Sequence, residues 1–145
     1  MNVPFILLAD DEASFVETMA KRLDKRDLKV ITALGGEEAI EFLDRNRNVD
    51  VVILDVKMPG MDGIECLREI KKKYPLVEVI MLTGHATVET AIEGMKLGAF
   101  DYLMKPCEIE NLVEKVNQAA RKKQEHMEKI KEAQIREALS SHGLE

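Results

Sequence analysis

The residues whose types suit them to chemistry are a pair of acids at Asp10-Asp11 with Glu12 following, a lone acid at Asp55, a hydroxyl at Thr83 and an amine at Lys105. Neighbouring acids repel one another and cost stability unless something positive neutralises them. Lys105 carries one positive charge and a divalent cation would carry two, which together balance Asp10, Asp11 and Asp55. Donors that are all oxygen favour Mg²⁺, with Mn²⁺ as the alternative, over zinc. In such a set Asp55 is the candidate nucleophile. A carboxylate attacks phosphorus to give an acyl phosphate when metal and cation offset the charge on the transferring group. Thr83 has a hydroxyl to donate to a phosphoryl oxygen, and Gly84 beside it leaves open space. Singly, each residue has a plainer reading: Asp10-Asp11 as a helix cap, Thr83 as a strand-end hydroxyl, Lys105 as a solvated lysine. Only their convergence would make a site.

The elements that must position them are legible from the pattern. Apolar runs recur every ~23 to 26 residues, the rhythm of β-α units. They are Phe5 to Leu8, Leu28 to Ile31, Val51 to Leu54, Val77 to Leu82 and Phe100 to Met104. The first, third and fourth are nearly continuous, as for parallel strands covered on both faces. The second and fifth alternate with polar residues, as edge strands do. Between them the period becomes helical: Phe15, Val16, Met19, Ala20 and Leu23; Ala39, Ile40 and Leu43; Ile64, Leu67 and Ile70; Val88, Ala91, Ile92 and Met95; and Ile109, Leu112, Val113, Val116 and Ala120. Breakers such as Gly35-Gly36, Pro59-Gly60, Gly98 and Pro106 separate them. The expected fold class is α/β, a (βα)5 chain with parallel strands and right-handed crossovers. In such sheets ligands bind beyond the carboxyl ends of the strands. That is where Asp10-Asp11, Asp55, Thr83 and Lys105 fall.

Composition sets the outer bounds. The chain has 145 residues, 46% of them hydrophobic, enough for one domain with a real core. The net charge of -6 argues against a nucleic-acid surface. The first 120 residues hold 15 basic and 22 acidic side chains, so the excess acid lies there. Cys66 and Cys107 show no metal-ligand spacing and read as buried thiols in a reducing cytoplasm. Asp10 and Asp11 cut short the opening apolar stretch, and no run approaches the ~20 residues needed to span a bilayer; a cytoplasmic protein without a membrane role is expected. The segment 121–145 is helix-prone, and Met127 and Ile130 make a thin stripe that Lys123 and Gln134 interrupt. It reads as a solvated extension of the last helix, with a coiled-coil or partner-binding helix as the alternative, and the closing Leu144-Glu145 is given no weight.

As a set, Asp10-Asp11, Val51-Val52-Ile53-Leu54-Asp55, Met58-Pro59-Gly60-Met61-Asp62-Gly63, Thr83-Gly84 and Lys105-Pro106 resemble the receiver domains of two-component response regulators. The run from Gly98 to Pro106 is similar to receivers of the nitrogen-regulatory type. The resemblance implies a receiver over residues 1–120, followed by a helical extension or linker over 121–145. It implies a flavodoxin-like three-layer sandwich with strand order 2-1-3-4-5. It also implies that Asp55 is the phosphoacceptor, with a sensor histidine kinase or phosphotransfer protein as donor. Asp11, Asp55 and the backbone carbonyl of Lys57 would hold Mg²⁺ directly, and Asp10 through water. Lys105 would pair with the phosphoryl group, and its peptide bond to Pro106 would be cis. Thr83 and Tyr102 would be the switch pair, although an edge-strand aromatic is the plainer reading of Tyr102. The face made by the fourth helix, fifth strand and fifth helix would be the output surface and a possible homodimer contact. Lys57 and His85 sit where phosphate lifetime is tuned in that family.

The implied protein is a switch rather than an enzyme. A phosphatase with an aspartyl nucleophile is the first alternative, but it wants an acid where Lys57 stands. A receiver-like scaffold that is never phosphorylated is the second, and the complete acceptor set speaks against it. A flavin module of the same topology would need a phosphate-binding loop, and Asp10-Asp11 would repel one. No helix-turn-helix, ATPase or cyclase motif is evident after residue 120, and the length of the tail favours a stand-alone regulator over part of a longer one.

Overall fold

The strands that are apolar throughout should be central, and the computed structural model, which describes residues 3–143, places them there. β1 (Phe5–Ala9), β3 (Val51–Leu54) and β4 (Glu78–Thr83) are buried at every position. The alternating runs become the edges, β2 (Lys29–Ala33) and β5 (Asp101–Met104). All pairings are parallel, in the order β2-β1-β3-β4-β5. This is the flavodoxin-like order. The closing Leu144-Glu145 lie outside the described residues.

Because successive strand residues point to opposite faces, each central strand feeds two cores. Leu7, Ala9, Val52, Leu54, Val79 and Met81 pack under α2 (Gly36–Arg45) and α3 (Gly63–Lys73). Ile6, Leu8, Val51, Ile53, Ile80 and Leu82 pack under α1 (Ala13–Asp24) and α5 (Ile109–Ser141). Local chemistry sets the helix ends. Asp62 accepts from the Glu65 backbone N at 2.9 Å to start α3, and Thr87 and Thr90 form a capping box at the start of α4 (Val88–Lys96). Gly98 follows α4 at φ +102°, a conformation that side chains other than glycine's rarely adopt.

Two stretches depart from the periodic reading. The stripe on α4 does not enter the core: Val88 is 72% exposed, and Ile92 and Met95 are exposed with it. A 3.6-residue period marks a face without saying what covers it. Helix α5 is continuous to Ser141, and its buried positions extend to Lys123, a residue read as solvated. The expectation of buried thiols is met at Cys66 but not at Cys107, which is only half-buried. No helix among the described residues is long and apolar enough to cross a membrane.

Candidate functional site

Register brings the chemistry together. β1 and β3 pair with Ala9 opposite Leu54, so Asp10 and Asp55 emerge side by side. The Asp55 backbone N donates to the Ala9 carbonyl at 3.0 Å and closes the ladder there. Carboxylate oxygens of Asp10, Asp11 and Asp55 lie within 4.8 Å of one another. Lys105 comes off the end of β5, where its backbone N donates to the Thr83 carbonyl at 2.9 Å and the peptide to Pro106 is cis. Its Nζ sits 2.6 Å from Asp10 Oδ2, 3.4 Å from Glu12 Oε1 and 3.9 Å from Asp55 Oδ2. The same ammonium lies 3.9 Å from the centroid of the Phe15 ring, within cation-π range. Residue spacing pointed to neither Glu12 nor Phe15 as partners of Lys105. Phe15 read only as part of the α1 stripe.

The electrostatics are those of a crowded acid site. Asp10 and Asp55 are almost fully buried. Burial pushes the Asp10 carboxyl above the ordinary carboxylate value, and the charge of Asp55 adds to the push. Hydrogen bonds from Lys105 and from the Glu12 backbone N offset only part of it. For Lys105, burial opposes the charge, but the hydrogen bond to Asp10 and the charges of Asp10, Asp55 and Glu12 outweigh it. The ammonium is therefore held above its ordinary value. One lysine cannot balance three acids. An all-oxygen cluster with surplus negative charge is a good fit for a hard divalent cation.

The remaining candidates occupy different places. An open cleft of about 420 Å³ is lined by Asp11, Glu12, Asp55, Lys57, Met58, Pro59 and His85, so both basic residues face the acids' doorway. Thr83 is fully buried, and its Oγ1 accepts from the His85 backbone N at 3.0 Å. At Gly84 an added Cβ would meet nothing nearer than Lys105 Cδ at 4.0 Å, so the space there is open. Tyr102 is not at the acidic cluster: its hydroxyl bonds Thr90 Oγ1 of α4 at 2.7 Å. Gly63 is tighter than its motif position alone indicated. A Cβ there would lie 1.9 Å from the Asp55 carbonyl oxygen, because the Gly63 N donates to the Val56 carbonyl at 2.7 Å. Only glycine lets α3 start so close behind Asp55.

The family model of the response regulator receiver domain matches residues 6–117, most of the chain and every residue of the acidic cluster. The chain belongs to that family. Among similar proteins, the receiver is 36% identical to the regulatory protein LuxO of Vibrio cholerae over 79% of its length and 25% of LuxO. It is 34% identical to the DNA-binding transcriptional regulator NtrC of Escherichia coli over 88% of its length and 27% of NtrC. The chain thus spans about a quarter of the curated relatives it matches. Among solved structures, a response regulator receiver domain protein from Clostridium thermocellum superposes with TM-score 0.81 at 39% identity, covering 84% of this chain and 98% of that one. Receiver domains are in general signal switches rather than enzymes, and they bind Mg²⁺ through an acidic pocket of the kind formed here by Asp10, Asp11 and Asp55.

Proposed function

We propose that this receiver accepts a phosphoryl group on a carboxylate oxygen of Asp55 and converts it into a change at its α4-β5-α5 face. The observation that carries the reading is the convergence of Asp10, Asp11 and Asp55 within 4.8 Å, with Lys105 Nζ 3.9 Å from Asp55. The donor is a sensor histidine kinase or phosphotransfer protein, whose P–N bond breaks as the Asp55 O–P bond forms. Asp11 and Asp55 with the Lys57 carbonyl, and Asp10 through water, would hold Mg²⁺. Bound there, the cation neutralises charge on the transferring group.

The chain's own residues do the rest. Asp55 attacks, and its backbone is pinned by Ala9 so that the carboxylate faces the cleft. Lys105, already held near it, turns from Asp10 and Glu12 to the new phosphoryl oxygens. The group adds about -1.5 to -2 charge. That favours the arrangement in which Thr83 gives up its contact with the His85 N and donates to the phosphoryl group, and Tyr102 moves from Thr90 toward the space behind it. Taking such an equilibrium from roughly 1:99 to 99:1 needs about 5.5 kcal/mol, within reach of two or three charge-assisted hydrogen bonds in a partly dry site. Lys57 and His85, at the doorway, affect how long the phosphoryl group survives. In this reading the exposed apolar stripe of α4 belongs to the output face, and residues 121–145 form an extension beyond the receiver.

Phosphate-affinity electrophoresis with acetyl phosphate and Mg²⁺ tests the proposal. The wild-type chain should give a retarded band and Asp55→Asn none. Equal retardation of the two would remove Asp55 from its role. Thr83→Ala should still be retarded yet show none of the wild-type amide shift changes on α4.

A further inference from the structure

At the opposite edge of the sheet, where the strands begin, a second group of charges lies partly enclosed. Asp50, just before β3, accepts from the Phe5 backbone N at 2.8 Å with one oxygen and from Lys123 Nζ at 2.9 Å with the other. Lys123 Nζ also donates to the Val49 carbonyl at 3.0 Å. One residue earlier on α5, Lys122 Nζ lies 3.6 Å from Glu78 at the start of β4. Lys123 is only 7% exposed. Every described residue of α5 after it is exposed, apart from the half-buried His126.

Lys123 therefore closes the buried seam of α5 that Leu112, Val116 and Ala119 begin. A hydrophobic residue in that place would tolerate small slides and rolls of the helix, because apolar contact is non-directional. An enclosed ammonium does not. It is costly unless its hydrogen bonds are made, and the two acceptors here belong to consecutive residues of the connection into β3. The continuation from residue 124 then propagates from an already formed helix and is spared the nucleation that makes isolated helices of this length marginal.

We propose that Asp50 and the Val49 carbonyl form a docking joint for Lys123. The joint fixes the depth and rotation of α5 on the sheet and sets the direction in which residues 124–141 leave the body as a helical arm. The inference is independent of the chemistry at Asp55. Hydrogen exchange followed by mass spectrometry on the full chain tests it. Lys123→Met keeps the stem and removes the ammonium; it should speed exchange about tenfold or more across residues 119–130 and leave the strands unchanged. Lys123→Arg should stay close to wild type, and Lys129→Met, on the exposed arm, should change nothing. Should Lys123→Met fail to fold, Asp50→Asn addresses the joint from the other side and should loosen the same segment. Wild-type protection of residues 119–130 in the variant lacking its charge, or acceleration spread evenly over the strands, would overturn the joint.

Discussion

At one edge of the sheet Asp10, Asp11 and Asp55 crowd within 4.8 Å around Lys105, whereas at the other Asp50 and Glu78 face Lys122 and Lys123, with Lys71 near Glu78. Both places mix acids with lysines, and each holds nearly buried groups: Asp10 and Asp55 at one, Glu78 and Lys123 at the other. They differ in balance. At the strand beginnings each lysine has an acid or carbonyl to satisfy: Lys71 donates to the Pro75 and Val77 carbonyls at 3.0 Å, and only Glu78 Oε1 is enclosed without a hydrogen bond among the described residues. At the strand ends negative charge is in surplus, and the surplus faces an open cleft. Surplus negative charge beside solvent is a cost that a bound cation can relieve, whereas matched charge under a helix holds structure.

Substitutions at the two edges should therefore act differently. The most damaging should be at Gly63, where a methyl group would meet the Asp55 carbonyl at 1.9 Å. Gly63→Ala should cost about 3 kcal/mol in urea unfolding, since overpacking against backbone has nowhere to relax. Next is the balanced edge. Asp50→Asn removes the partner of a nearly buried lysine and should destabilise by about 2 kcal/mol, less than a fully enclosed pair because Asp50 keeps some exposure.

The crowded edge should respond with the opposite sign. Asp10 is held above its ordinary value mainly by burial, so its ionised form costs stability at neutral pH. Without divalent cation, Asp10→Asn should be more stable than wild type in urea unfolding at pH 7. The folded wild type binds that proton more tightly than the unfolded chain. The variant's advantage should therefore shrink as pH falls through the raised folded pKa and vanish below 3.8. An advantage that grows toward acid would refute the assignment. The smallest structural disturbance comes from thiol labelling. Burial pushes the Cys66 thiol up to about 12, and it is fully enclosed. Iodoacetamide at pH 8 should modify half-buried Cys107 and reach Cys66 only on unfolding.

The layout of the sheet could be read from composition because burial on two faces and on one face leave different residue patterns. Val51 to Leu54 is apolar throughout, while Lys29 to Ala33 is not, and these became a central and an edge strand. The convergence of Asp10, Asp11, Asp55 and Lys105 followed from strand ends alone. What stayed hidden needed contacts between distant residues. Lys123 in a charged helix looks solvated until Asp50, 73 positions away, is beside it. Phe15 looks like core until Lys105 lies over its ring. Val88, Ile92 and Met95 keep a helical period whether a sheet or a partner covers them.

The most direct test of the phosphoacceptor assignment is to map the modified residue. The chain would be incubated with acetyl phosphate and Mg²⁺, reduced with borohydride to trap any acyl phosphate, and sequenced by tandem mass spectrometry. A single reduced aspartate is expected, at position 55, absent when Mg²⁺ is chelated. A trapped residue elsewhere, or none with the cation present, would contradict it.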